Sequence, residues 1–454
     1  MKILLWHGYL LTGSGSNLYT ANLARVWRNA GHDVLLMCQE KNVDAVPFLD
    51  SYGDFAPDNL SFEETEMGNQ AAKGSCRLLR PSIGKVLPVY VYDEYEGFEA
   101  KTYVDLTDEE LAQYTNSNIT AMVTALRAHE PDAIVTGHEV MGPYIALRAC
   151  ETTGDDYLAK LHGSALEYAV KKQERYVAYA RDGLGGAKVV VGGSRYMIKE
   201  AASIVSGWEE KAEVVNPGCD TILFKPIEKA NEIPVVGYVG KLIAAKGVHN
   251  FLASLGLVEN LPLKAVVVGY GGYESELKRL WDALREGRAD EVREIASAHL
   301  SELPHLLQWL ETDRPGVSYQ SRIESVDLEW AGRLDHDPLS RVLPTVDALV
   351  VPSVVPEAFG MVAAEAAACA VLPIVPRHSG IGEVGAALEK ELGQPGLLTF
   401  DPDDPIKGIA AAIDRVLALH VEEKRVFEQA ACEYARSVWS WEHVGDRLLD
   451  LAAN

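Results

Sequence analysis

The stretch Pro352 to Glu365, PSVVPEAFGMVAAE, carries two carboxylates on a pattern that suits one kind of chemistry. The apolar run VDALVV before it reads as a buried strand. A tight loop with Glu357 and Gly360 follows, then a helix with Glu365 in its first turns. A strand, a loop and a helix in that order point backbone N–H groups at the helix N-terminus, where they can face an anion such as a phosphate. Two glutamates nearby add carboxylates able to grip hydroxyl groups. A ligand with a diphosphate in its middle and hydroxylated rings at each end, such as a nucleotide sugar, would satisfy both features.

The elements that must position such a site follow an alternating rhythm. At the N-terminus, Lys2 to Trp6 reads as a strand, Gly13 to Gly15 as a small-residue loop and Leu18 to Ala30 as a helix. Gly31 supplies the stop, and His32 to Met37 returns to a strand. Further strands are expected at Ala133 to Thr136, Tyr157 to Leu161 and Val189 to Val191. Between them, about 42–106, lies a stretch rich in Gly, Pro, Tyr and acids, read as a long loop excursion over the site. A second set begins near Ile233 with IPVVGYVG, LKAVVVG, DLEWAG, DALVVPS and LPIVP, as expected of parallel strands covered on both faces. The charged segment 274–322 reads as an inserted helical hairpin broken at Arg314-Pro315-Gly316. Pro217, Gly218, Pro226 and Pro234 mark the link between halves. The fold class is therefore α/β, in two domains, since 454 residues exceed one typical core.

Composition narrows the partners. With 48% apolar and 24% charged residues the chain is globular. A formal net charge of -24 argues against nucleic acid as the main ligand and against anionic membrane as a docking surface. Six scattered cysteines without a C-x-x-C pair suit buried thiols in a reducing compartment. The opening MKILLWHGYL resembles a core strand and not a signal peptide, and no run reaches the roughly 20 apolar residues of a membrane span. A cytoplasmic location is expected, and a homo-oligomer stays open.

Five pieces then occur in one order: VVNPGCDTILFKP, GYVGKLIAAKG, VVVGYGGYESEL, LEWAGRL and PEAFGMVAAEAAACAVLPIVPRHSGIGEV. With TGSGSNLYTANLARVWRNAGHDV and LAKLHGSALEYAV from the first half, the chain resembles a family four retaining glycosyltransferase of the GT-B fold. The resemblance spans nearly the whole chain apart from 42–106 and 274–322. It implies two Rossmann-like domains facing each other across a cleft: an acceptor domain, 1–218, and a nucleotide-sugar domain, 230–425. Helices over 426–454 would cross back to the first domain, pinned by Trp439 and Trp441.

By the same resemblance, Lys241 and Lys246 neutralise the donor diphosphate as ammonium point charges. Taken alone, each is a lysine after a strand, usually a solvated surface residue. Position 241 is Lys where the family usually has Arg, so a bidentate phosphate contact is lost. Glu357 would bind the donor sugar and Glu365 the donor ribose, with the backbone amides of Phe359, Gly360 and Met361 facing sugar or phosphate. Both acids could otherwise be ordinary helix-start carboxylates. Arg333 and Leu334 would sit beside the base through backbone contacts. Gly13, Ser14 and Gly15 would let the backbone approach donor phosphates or acceptor, or simply form a packing turn. His162 would help orient the anomeric centre, though a lone His at a strand end is more often structural. His138 and Glu139 would contact the acceptor.

The implied reaction is retaining transfer of a hexosyl group from a nucleoside diphosphate sugar to an acceptor hydroxyl, on a small molecule or a glycan. The leaving phosphate takes the acceptor proton, and catalysis comes from positioning and charge stabilisation. No cofactor and no metal are expected: Asp335-His336-Asp337 has ligand-like spacing but lies in the expected base loop. Rival readings are a GT-B-like sugar-nucleotide epimerase, a non-catalytic sugar-binding subunit and an NAD-dependent oxidoreductase. The last would use Gly13-Ser14-Gly15 and Glu40, but Leu18 stands where that fingerprint wants its third glycine.

Overall fold

The computed structural model describes residues 1–68, 72–92, 95, 97–299, 301–313 and 316–453. The chain divides into two compact units, Met1–Pro217 with Trp441–Asn454, and Gly218–Ser440.

The first unit holds β1 (Lys2–Trp6), β2 (Asp33–Met37), β3 (Ser51–Phe55), β4 (Phe62–Glu66), β5 (Ser75–Arg80), β6 (Val86–Val89), β7 (Glu99–Thr102), β8 (Ala133–Gly137), β9 (Leu158–Lys160), β10 (Val189–Gly192) and β11 (Ala212–Val214). Nine of them form one sheet in the order β11-β10-β9-β8-β1-β2-β5-β3-β4, parallel except where β4 runs against β3. β6 and β7 pair separately. The apolar runs of β1 and β2 are buried, as strands covered on both faces require. The helix Gly15–Ala30 starts where the Ser14 hydroxyl accepts from the Asn17 N–H, and it stops where Gly31 takes φ 103°. It buries Tyr19, Leu23, Val26 and Trp27 against the sheet.

The 42–106 stretch is not a loop excursion. It supplies β3 to β7, and β5 lies inside the sheet between β2 and β3. Its residues Cys76, Leu78 and Leu79 are buried, while Arg77 reaches Asp33 and Glu64 at 3.5 and 3.8 Å. The charged residues in SCRLLR hide a central strand whose partner is distant in sequence.

The second unit has β12 (Val235–Val239), β13 (Leu263–Val268), β14 (Val326–Gly332), β15 (Ala348–Val350), β16 (Leu372–Pro376) and β17 (Thr399–Phe400), all parallel, ordered β14-β13-β12-β15-β16-β17. The order reverses between β12 and β15, which makes the C-terminal ends of those two strands the switch point of the sheet. The 274–322 segment is more than a hairpin, with helices at Glu274–Arg285, Ala289–Ala298, Pro304–Thr312 and Val317–Ile323. The expected break at Arg314-Pro315 lies outside the described residues.

The return to the first unit is later than 426. Helix Val421–Val438 stays in the second unit, and Trp439 is buried in that unit's core. Only helix Trp441–Ala453 belongs to the first unit, where Trp441, Val444 and Leu448 pack with Leu23 and Trp27. The two tryptophans thus anchor different cores. Cys219 N–H donates to Trp439 C=O at 2.7 Å, holding the start and end of the second unit side by side.

Candidate active site

In the second unit, Lys241 and Lys246 leave β12 on one loop, and Glu357 sits on the loop after β15. The two loops are tied together. Lys246 Nζ lies 2.8 Å from Glu357 Oε1, and the Val354 N–H donates to Ala245 C=O at 3.0 Å. Tyr238, at the end of β12, donates its hydroxyl to Lys241 C=O at 2.8 Å. Gly247 makes the approach possible: it has φ 69°, and a Cβ there would meet Pro352 O at 1.8 Å. Lys241 is exposed and the Lys246 side chain is one third exposed, so both ammonium groups reach solvent.

Behind the Glu357 loop stands a brace that motif reading did not single out. The Glu357 N–H donates to Ser379 Oγ at 2.9 Å. His378 meets Ser379 Oγ at 2.9 Å with Nδ1 and Ser353 C=O at 3.0 Å with Nε2. The Gly380 N–H donates to Glu357 C=O at 2.8 Å, and a Cβ at Gly380 would lie 2.0 Å from Ala358 O. The sequence signal was present in HSG after LPIVP, but a bracing role needs the contact partner to be known. Phe359 is buried edge-on to Trp439, with centroids 5.6 Å apart, and Gly360 takes φ 102° at the cap of helix Met361–Ala368.

Glu365 stands on that helix with its side chain 12% exposed. Burial, and then the nearby Asp220 carboxylate, push its carboxyl up to about 8. His336 Nε2 is 3.8 Å from Glu365 Oε1. Arg333 lies over the Tyr270 ring at 4.8 Å and reaches Asp335 at 3.1 Å, while Asp337 pairs with Arg341. The acids of the Asp335-His336-Asp337 triplet are therefore engaged by arginines. Leu334 packs against the core beneath.

The first unit presents a different environment at the C-terminal ends of its central strands. Its strand order also reverses at β1, with β8 on one side and β2 on the other, and His7, His138 and His162 follow β1, β8 and β9. Their rings form a row, with His7 stacked on His138 at 5.6 Å and His138 tilted against His162 at 4.7 Å between centroids. Tyr19 meets His162 edge-on at 5.1 Å and Tyr90 meets His138 at 4.7 Å. Burial drives His7 down to about 4 and holds His138 and His162 well below the usual imidazole range, so the row is neutral near pH 7. Glu139 Oε1 accepts from the Gly163 N–H at 2.9 Å, and burial raises its carboxyl. Lys160 is 2% exposed, and burial lowers its ammonium to about 7. His7, Tyr19, Tyr90 and Lys160 escaped motif reading because only packing brings them to these strand ends.

Gly13, with φ 91° and open space about its Cα, and Gly15, the first residue of its helix, flank the cap Ser14. Glu40, the residue a dinucleotide fold would turn to a ribose, is buried and accepts from the Leu11 and Asn42 N–H groups at 2.9 Å each. Its carboxylate serves the backbone.

Residues 233–418, which contain Lys241, Lys246, Glu357 and Glu365, match the family model described as Glycosyl transferases group 1. That segment is similar to the glycosyltransferase group 1 domains. The chain also superposes on solved structures along nearly its full length. Sucrose-phosphate synthase from Thermosynechococcus elongatus is 18% identical with a TM-score of 0.59, covering 99% of this chain and 98% of the other. Anabaena HepE in complex with UDP is 15% identical with a TM-score of 0.62 and 99% of each chain covered. A glycosyltransferase from Rickettsia africae is 13% identical with a TM-score of 0.61, covering 99% and 97%. At these identities the likeness establishes the fold, two Rossmann-like units of the GT-B type. No curated protein gives a significant match. Among the described residues no helix is long and apolar enough to cross a membrane, and no group of three His, Cys, Asp or Glu side chains could hold a metal ion.

Proposed function

We propose that the protein is a retaining, family four glycosyltransferase that moves a hexosyl group from a nucleoside diphosphate sugar to an acceptor hydroxyl. The observation that carries this reading is the meeting of Lys246 and Glu357, from the loops after β12 and β15, within the segment similar to the glycosyltransferase group 1 domains. A switch point between parallel strands is where α/β sheets take their ligands. In this reading Lys241 and Lys246 stabilise the charge that grows on the departing diphosphate, together with the amides of Phe359, Gly360 and Met361. Donor phosphate would take Lys246 from Glu357 and leave that carboxylate free for sugar hydroxyls. Glu365 holds the ribose, and Arg333 and Leu334 flank the base. Gly13 and Gly15 lend backbone to the donor, His162 orients the sugar, and Ser14, His138 and Glu139 serve the acceptor. The neutral histidine row supports an uncharged polar acceptor group over a second anion.

We propose further that no metal takes part, because the lysines supply positive charge at the diphosphate and arginines already occupy Asp335 and Asp337. Six free, buried cysteines support a reducing, cytoplasmic setting. HepE has been solved with UDP and with UDP-glucose, which makes uridine donors the first to try. The test is to titrate UDP-, GDP- and ADP-glucose in EDTA and then follow glycoside formation with a panel of hydroxylated acceptors by mass spectrometry. Binding of one donor, with a product that keeps the anomeric configuration, is expected. Binding of none, or formation of an epimerised sugar without acceptor, sinks the reading.

A further inference from the structure

We infer that His336 is a positioning residue for Glu365, taking the Glu365 proton when a ribose hydroxyl donates to that carboxylate. This deepens the nucleotide-sugar reading and rests on it. The two side chains come from separate elements, Glu365 from the second turn of helix Met361–Ala368 and His336 from the start of helix His336–Val342. Nε2 and Oε1 are 3.8 Å apart, within ion-pair reach and a little beyond hydrogen-bond contact. The imidazole meets Phe224 edge-on at 6.0 Å, and about half its surface stays open.

The surroundings of Glu365 create the need for a proton acceptor. The groups facing it are Asp220, Cys219, Cys369 and His336. Of these, the imidazole alone can supply a positive charge. Around His336, the flanking Asp335 and Asp337 are paired with Arg333 and Arg341. With its carboxyl raised to about 8, Glu365 carries a proton over most of the neutral range. A ribose with two donating hydroxyls is best met by an ionised carboxylate, which accepts at both oxygens. The step balances within the pair: the O–H bond on Glu365 breaks, an N–H bond forms at His336 Nε2, and no proton enters or leaves solvent. The positive imidazolium then stands beside the carboxylate it has ionised.

The experiment is isothermal titration of the full chain at pH 7 with whichever of UDP-, GDP- or ADP-glucose it binds, in phosphate and in Tris, whose ionisation heats differ widely. Wild type is expected to show the same heat in both buffers. His336→Gln should release close to one proton, seen as a buffer-dependent heat, and bind about tenfold more weakly. That loss should shrink as pH rises past 8, where the carboxylate ionises unaided. Glu365→Gln added to His336→Gln should abolish the buffer dependence. A merely structural histidine would lower affinity without moving the proton count. Equal buffer dependence in wild type and His336→Gln overturns the relay while leaving the donor site intact. Failure of wild type to bind any of the three donors overturns the nucleotide-sugar reading itself.

Discussion

The two units place chemistry on the same scaffold in opposite electrostatic states. Each has a parallel sheet whose strand order reverses, and each gathers its polar residues on loops leaving the C-terminal strand ends. In the second unit those residues reach solvent, with Lys241 exposed and Lys246 paired to Glu357. In the first unit they are buried and discharged: a row of three neutral imidazoles among tyrosines, and a lysine whose ammonium has been lowered to about 7. Topology chose where side chains converge, and burial chose their charge. A diphosphate needs standing cations, which only a hydrated loop maintains cheaply. A hydroxyl needs none.

The comparison can be broken most forcibly through the second unit's backbone. Gly247→Ala would drive a Cβ into Pro352 O while forcing a left-handed conformation on alanine. A loss of about 3–5 kcal/mol of stability is expected from the clash and the backbone strain together. Gly13→Ala in the first unit, where open space surrounds the site, should lose only about 1 kcal/mol. Chemical denaturation of each variant checks the pair, and similar losses would deny that the second unit's loops are packed more tightly.

The buried lysine offers the next largest effect, with a sign that depends on pH. Lys160 has a folded-state value below its ordinary one, so the folded chain holds fewer protons than the unfolded chain between about pH 7 and 10.5. Wild-type stability from this group therefore rises as pH climbs through that window, and the burial penalty is fully present below pH 7. Lys160→Met should stabilise the protein by about 1–3 kcal/mol at pH 6, after allowing for the lost attraction to Glu139, and the gain should fade toward pH 10. Melting curves across pH test this. A gain that grows with pH would mean the ammonium is well compensated.

Lys246→Ala should act on ligand and not on fold, weakening nucleoside diphosphate binding by about 1.5–3 kcal/mol. Its thermal stability should change by less than about 1 kcal/mol, because its ion pair with Glu357 is partly exposed. Equal affinity in the variant, measured by calorimetry, removes Lys246 from the site. The finest distinction lies between the two glutamates. Glu365→Ala should weaken free nucleotide and intact donor alike, whereas Glu357→Ala should leave free nucleotide binding nearly unchanged and lower turnover. Matching losses of nucleotide affinity in both would show that the division between ribose and sugar is wrong.

Much of this protein is written in short-range pattern. The βαβ start, the stop at Gly31, five of the six strands of the second sheet and the strand–loop–helix around Glu357 and Gly360 were legible because apolar periodicity and glycine conformation act over a few residues. The short TF strand β17 carried too little pattern to be seen. β5 was missed because its place inside the sheet depends on pairing with β2, and its Arg77 looks like surface until Asp33 and Glu64 are placed near it. Lys241, Lys246, Glu357 and Glu365 were singled out as candidates from sequence alone. That Lys246 ties itself to Glu357, that His378 and Ser379 brace the loop, and that His336 stands beside Glu365 were decided only in three dimensions. The same holds for charge: residue type sets which proton can move, while burial and neighbours brought together across the fold decide whether it does.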